Sequence, residues 1–305
     1  MYLKCGGIVW KIISIFVYCN ITLYMSKNRS NKPKAFIVPH ASPEYSGHIA
    51  TEVLKKIPNY DYNSILLLGI DHQRGESGIY VGSSYNKPIQ ELNKLKKAGF
   101  TEVQGDHSIG HIIPLIETFS NLPIVPFVVG EYDPEIAKKL KPLVNSKTLI
   151  IASTDLSHHN PLEVAGEIDQ NTILNIENEG DQLDACGANA VRVLYDLIDE
   201  PLELVDYDTS AHLEGDKEKV VGYAAFQAGG FSKELLDARD AVVNFLQTGE
   251  MPKPSKRKKA AFVGITKDGE LQGSMGQTRA MMPSNIAAIE AFKSTLSDQR
   301  MQYDP

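Results

Sequence analysis

The sequence predicts a three-layer α/β fold on a mainly parallel sheet. Three observations carry this. Short continuous apolar runs at 35–39 (AFIVP), 64–69 (SILLLG) and 148–153 (TLIIAS) are bounded by turn residues, as in strands buried on both faces. Segments with helical periodicity alternate with these runs. Each run then stops, and a histidine follows within a few residues: His40, His72 and His158. In an open parallel sheet, ligands sit in the crevice beyond the carboxyl ends of the strands. Parallel neighbours would therefore gather three imidazoles and Asp155 at one edge.

The elements follow in order. Strand 35–39 leads to a helix near 47–57, with Ile49, Val53, Leu54 and Ile57 on one face. Strand 64–69 is followed by a polar loop and a helix near 89–97. Residues 109–119 read as helix, with Pro114 in a first turn. A strand spans 123–130. Asp133 caps a helix running to about 144, and Pro134 suits its first position. Strand 148–153 ends in STDLSHH. Helices near 162–178 and 187–199 come next, and strands 202–207 and 219–226 close the unit. A second, small α+β unit begins near 232. Its first helix, SKELLDARDAVVNFLQTG, stops at Gly249. The linker MPKPSKRKK precedes a hairpin: AAFVGIT, a KDG turn and ELQGSMG. A last helix, NIAAIEAFKSTL, follows Ser284 as its cap. The domains expected are thus 1–34, 35–231 and 232–305.

Composition excludes some classes. The 305-residue chain is 42% hydrophobic and carries a net charge of -7, which argues against binding nucleic acid through phosphate contacts. The run KPSKRKK (253–259) reads as a solvated linker. The three cysteines, Cys5, Cys19 and Cys186, cannot build a disulfide framework, so a cytoplasmic location is expected. Residues 7–24 are membrane-like, but Lys11 and Asn20 interrupt them and no small-residue cleavage site follows. The functional chain is expected to start near Met25, with 1–34 as an extension. The alternative is a signal anchor, the one route by which a membrane would be a partner.

His40 or His72 alone would read as a structural histidine. Their coincidence with Asp155-x-x-His158 and with Cys186 in DACGANA is hard to explain as packing. Two imidazoles and one anionic ligand leave metal positions open. A carboxylate in the third place suits iron(II); a thiolate shifts preference toward copper or zinc without excluding iron. His158 is a candidate acid/base and Asp155 a group that orients it. His107, in GDHSIGH, is a further catalytic candidate. His48 and His111 read as helix-face residues, and His159 and His212 have weaker claims.

Residues 35–230 resemble the Memo family, which includes system protein B of the prokaryotic AmmeMemoRadiSam set. The resemblance rests on VPHASPEYSG, LLGIDH, GDHSIGHIIP, ASTDLSH, ACG and GDKEKVVGYAA, in that order. It implies a class III extradiol dioxygenase-like fold. It also implies metal ligands at His40, His72 and Cys186, with Asp155, His158 and His107 nearby. Two departures stand out. Gly110 replaces a usual Glu, and the usual segment with a Gly-x-x-aromatic pattern before the first ligand strand is missing. Residues 232–305 resemble the start of an AMMECR-type domain, system protein A of the same set. Its usual Arg and Cys are Gln272 and Ser274 here, and the domain reads as shortened and structural or vestigial.

Two functions stand side by side. One is a metal-dependent oxidoreductase, dioxygenase-like, holding Fe(II) or Cu, with Zn as a further candidate, and acting on an unknown small-molecule or protein substrate. The other is a non-catalytic metal-binding adaptor. A radical-SAM protein of the same system is the expected partner. A zinc hydrolase ranks below both, because the only nearby general-base candidate, Glu44, reads as solvent-facing.

Overall fold

The computed structural model describes residues 19–25, 32–73, 75–80, 92–103, 106–230, 233–259, 261–267, 270–277 and 279–297. In chain order, the first elements are β1 (Cys19–Met25), β2 (Ala35–Val38), α1 (Pro43–Leu54), β3 (Ser64–Ile70), β4 (Gly78–Tyr80), α2 (Leu92–Lys97) and β5 (Glu102–Val103). Next come α3 (His107–Gly110), α4 (Ile112–Phe119), β6 (Ile124–Val129), α5 (Pro134–Leu140), β7 (Thr148–Ser153), β8 (His158–Asn160), α6 (Leu162–Glu177) and α7 (Ala188–Leu197). The last are β9 (Leu202–Thr209), α8 (Ala211–Glu214), β10 (Val220–Ala228), α9 (Lys233–Thr248), β11 (Ala261–Lys267), β12 (Glu270–Gly276) and α10 (Ser284–Leu296).

The chain divides into two compact units. Residues 32–230 form one, and 1–31 with 231–305 form the other. In the larger unit nine strands make one sheet, ordered β5-β4-β6-β3-β7-β2-β10-β8, with β9 also on β10. The centre, β6-β3-β7-β2, is parallel. These strands are buried throughout except for Ser64 at the start of β3, which explains why they read as unbroken apolar runs. Side chains alternate between the two faces. Leu66, Leu68, Phe127 and Ile150 pack with Ile136 and Leu140 of α5 and Val191 and Leu194 of α7. Ile65, Leu67, Leu149 and Ile151 pack with Ile49 and Val53 of α1 and Ile112 and Ile116 of α4. Helices thus cover both faces, giving the predicted three-layer α/β arrangement.

Differences from the sequence expectation concern edges and ends. Strands β9 and β10 pair antiparallel with each other, and β10 with β2. The short link between β9 and β10 permits a hairpin-like return but no parallel crossover. Helix α1 starts at Pro43, four residues earlier than expected, because proline is favoured where no helical N–H is needed. The helix expected over 109–119 breaks at His111 into α3 and α4. Asp133 does cap α5, accepting from the Glu135 N–H at 2.9 Å.

In the smaller unit, β1 pairs antiparallel with β11, and β11 with β12. Residues 19–24, within the run considered as an anchor, are therefore strand; the rest of that run lies outside the described residues, as do residues 268–269 of the KDG turn. No described helix is long and apolar enough to cross a membrane. Its core joins Ala238 and Val242 of α9, Ala261 and Val263 of β11, and Ala288 and Phe292 of α10. Ser284 is the first residue of α10 and not its cap; its hydroxyl meets that of Ser255 at 2.9 Å.

Two predictions follow from the packing. Leu67 is fully buried in a central strand, so Leu67→Ala should lower unfolding free energy by about 2–5 kcal/mol in a denaturant titration. On α1, His48 Nε2 lies 2.9 Å from the buried Asp208 carboxylate of β9. That hydrogen bond raises the His48 pKa above its ordinary 6.5, against the opposing effect of burial. The pair's contribution to stability is full below the unfolded value and disappears as pH rises through the raised one. His48→Gln should therefore be less stable than the parent below pH 6.5, with the difference shrinking as pH rises through the raised value. A difference that does not change with pH would show that protonation of His48 adds no stability through this pair.

Candidate metal centre

His40, His72 and Cys186 converge at the carboxyl edge of the parallel strands. Their donor atoms lie within 4.8 Å of one another, a group of three that could hold a metal ion. His40 follows β2, His72 follows β3, and Cys186 lies just before α7. Gly187 caps α7, and a Cβ there would come within 2.5 Å of the Ser153 carbonyl oxygen and the Thr154 side chain. Glycine at 187 lets the chain carrying Cys186 press against the end of β7. Cys186 Sγ accepts from the Asp155 N–H at 3.2 Å and lies 3.4 Å from His40 Nε2.

Hydrogen bonds fix which ring nitrogens face the cluster. His40 Nδ1 is 2.8 Å from Ser153 Oγ. The Ser153 hydroxyl donates its one hydrogen to the Ser108 carbonyl at 2.8 Å. Ser153 Oγ can then only accept, so His40 carries its proton on Nδ1 and turns the Nε2 lone pair toward Cys186. His72 Nδ1 donates to the Asp106 carboxylate, 3.0 Å from either oxygen. The carboxylate also accepts from the His72 N–H at 3.0 Å and caps α3 through the Ser108 N–H at 2.8 Å. Both imidazoles therefore reserve Nε2 for a ligand, the arrangement a histidine metal ligand needs. The donor set fits a metal of intermediate or soft character.

Electrostatics match this division. Burial pushes His40 down to about 3, so it is neutral and its lone pair available. Bonds to Asp106 and then Cys186 push His72 up to about 10 despite partial burial. A cation entering there would displace a proton. Burial pushes Asp106 up, but the His72 and Ser108 bonds outweigh it and hold the carboxyl well below the usual range.

The other sequence candidates surround this group. Asp155 is buried and accepts from the His40 N–H at 2.7 Å and the Ala41 N–H at 3.3 Å. Burial raises it to about 6. It forms a second donor group with His158 and Cys186. His158 is exposed, and its pKa is lowered, chiefly by burial of part of the ring. His107 stacks on His72 with ring centroids 4.2 Å apart, and forms a third group with His72 and Asp106. His111 is not simply a helix-face residue. It sits at the α3–α4 break and its Nδ1 donates to the His40 carbonyl at 2.9 Å. Sequence reading missed that role, and also Asp106 and Ser153. Asp106 had a signal: an Asp just before a helix and two residues ahead of a serine is a cap pattern. Glu44 is exposed, bonds Ser42 Oγ at 2.6 Å, and is not part of the cluster.

A family model described as Memo-like protein matches residues 11–227. The match begins upstream of the segment that carries the sequence motifs. Among similar proteins is a MEMO1 family protein of Methanobrevibacter smithii, 26% identical over 231 residues, or 63% of this chain and 82% of that protein. Another, from Methanococcus maripaludis, is 26% identical over 267 residues, or 70% of this chain and 93% of that protein. A third, from Methanococcoides burtonii, is 28% identical over 225 residues, or 62% and 84%.

Asp106→Asn keeps the shape but removes the charge that orients His72. It should weaken binding of an added divalent metal by about 10–100-fold, measured by competition with a chelating dye. Equal affinity in parent and variant would show that Asp106 does not support the donor group.

Proposed function

The chain belongs to the Memo family, and from that premise we propose that it holds one metal ion on His40, His72 and Cys186 and performs metal-dependent redox chemistry. The observation that carries this reading is the pair of imidazoles whose Nδ1 atoms are fixed by Ser153 and Asp106, leaving both Nε2 atoms for a cation beside Cys186 Sγ. Three ligands leave coordination positions open, as catalytic and not structural sites do. When bound, iron(II) or copper supplies one-electron chemistry with oxygen, and zinc supplies Lewis acidity.

The protein's own groups would do the rest. His158 is exposed beside Cys186 and can accept a substrate proton, since its lowered pKa leaves it neutral near pH 7. Asp155 positions His40 and Ala41 through their N–H groups. His107, stacked on His72, covers one side of that ring and limits its tilt. On this reading the chemistry is dioxygenase-like and the protein works in the cytoplasm. The 232–305 region is an AMMECR-type unit, and a radical-SAM protein of the AmmeMemoRadiSam system is the partner.

A second reading keeps the metal and drops the turnover, making the chain an adaptor. Gly110, where the family usually has Glu, favours it. Among the described residues, the carboxylate within 4.0 Å of His107 is Asp106, at 3.9 Å and already engaged by His72.

Anaerobic metal analysis of the full chain separates these readings. The parent should carry about one iron or copper, and His40→Ala and Cys186→Ala should lose it. His158→Gln should keep the metal but lose at least about 100-fold in oxygen consumption with any active substrate. Metal retained in His40→Ala and Cys186→Ala would refute the ligand assignment. Metal without oxygen consumption across a substrate screen would select the adaptor.

A further inference from the structure

A cleft of about 890 Å3 opens beside the donor cluster, with His158 and Cys186 in its lining. That volume is in the range of small-ligand sites. Its other walls come from α6 and the segment 182–185. Ile168 and Leu183 supply apolar surface. Among the described residues the polar lining holds three amides, Asn171, Asn175 and Gln182, with Thr172, His158 and one carboxylate, Asp184, and no lysine or arginine. Among the described residues, no hydrogen bond or ion pair engages the side chains of Asn171, Gln182 and Asp184, all three solvent-exposed. The Asn175 and Thr172 side chains of the same lining are engaged: the Asn175 amide donates to the Asn171 carbonyl at 2.8 Å, and Thr172 Oγ1 accepts from the Asp184 N–H at 3.2 Å. The Thr172 bond holds Asp184 at the cleft by its backbone, and its exposed carboxylate is open to a ligand.

We propose that this cleft binds the substrate, and that it selects a neutral or positively charged molecule bearing amide or hydroxyl groups, with Asp184 pairing an ammonium or guanidinium. The assignment rests on the metal-site reading, because it gives that site its substrate class. Two free amides can each donate and accept, which suits hydroxyl and amide groups. An anionic ligand would meet the Asp184 carboxylate, and among the described lining residues no lysine or arginine side chain offsets that repulsion. The net charge of -7 adds to that repulsion.

The test uses three capped tripeptides, acetylated and amidated Gly-Lys-Gly, Gly-Gln-Gly and Gly-Glu-Gly, titrated calorimetrically into the full chain. The lysine peptide should bind at least about threefold tighter than the glutamine peptide, with the glutamate peptide weakest. Asp184→Asn should reduce the lysine peptide to the level of the glutamine one. Asn171→Ala and Gln182→Ala should weaken all three alike. Equal binding of the lysine and glutamate peptides, no response to Asp184→Asn, or no binding of any peptide would each overturn the proposal. Metal content measured on the same samples keeps the two ideas apart. A lysine preference in a chain that holds no metal would leave the cleft standing and sink the redox reading. A metal-loaded chain indifferent to charge would do the reverse.

Discussion

The candidate site depends first on the register of three parallel strands. Val38 of β2 lies opposite Ser153 of β7, and Leu68 of β3 lies opposite Ala152. The three chains therefore leave the sheet at nearly one level. His40 comes two residues after Val38, Asp155 two after Ser153, and His72 two after the end of β3. A slip of one residue in any of these strands would send its core side chains to the wrong face. The apolar core therefore locks the same register that brings the donor groups together.

Ser153 and Asp106 connect that edge to the layer above it. Ser153 bridges His40 to the main chain of α3, and Asp106 bridges α3 to His72. Gly69 lets α3 come this close: a Cβ there would lie 2.5 Å from Ile109 and 2.7 Å from Ser108 Oγ. The Ser108 hydroxyl in turn donates to the Ile70 carbonyl at 3.0 Å. Burying these polar groups would be costly without partners, and each has one. Both imidazoles are thus oriented by one short helix, so a change at Ser108 or Asp106 would disturb the two together.

What could be read from the sequence was what is local. The central strands were visible because strands buried on both faces are continuously apolar. Asp133 was visible as a cap because capping chemistry lies within two residues. Strands β4, β5 and β8 were not, because elements of two or three residues carry no period to detect. The antiparallel edge was hidden for a different reason: strand direction is a property of the partner. His111 was assigned to a helix face because the acceptor of its Nδ1, the His40 carbonyl, lies 71 residues away in the chain.

The sequence by itself determined the α/β class, the central strands, and the residue types that end them: His40, His72, Asp155 with His158, and Cys186. Each is written in a contiguous run and needs no partner to be recognised. Only the tertiary structure decided which nitrogen each imidazole presents. That choice is made by Ser153, 113 residues from His40, and by Asp106, 34 residues from His72. A tautomer is set by the acceptor opposite Nδ1, and no local pattern specifies an acceptor that the fold brings from another strand or helix.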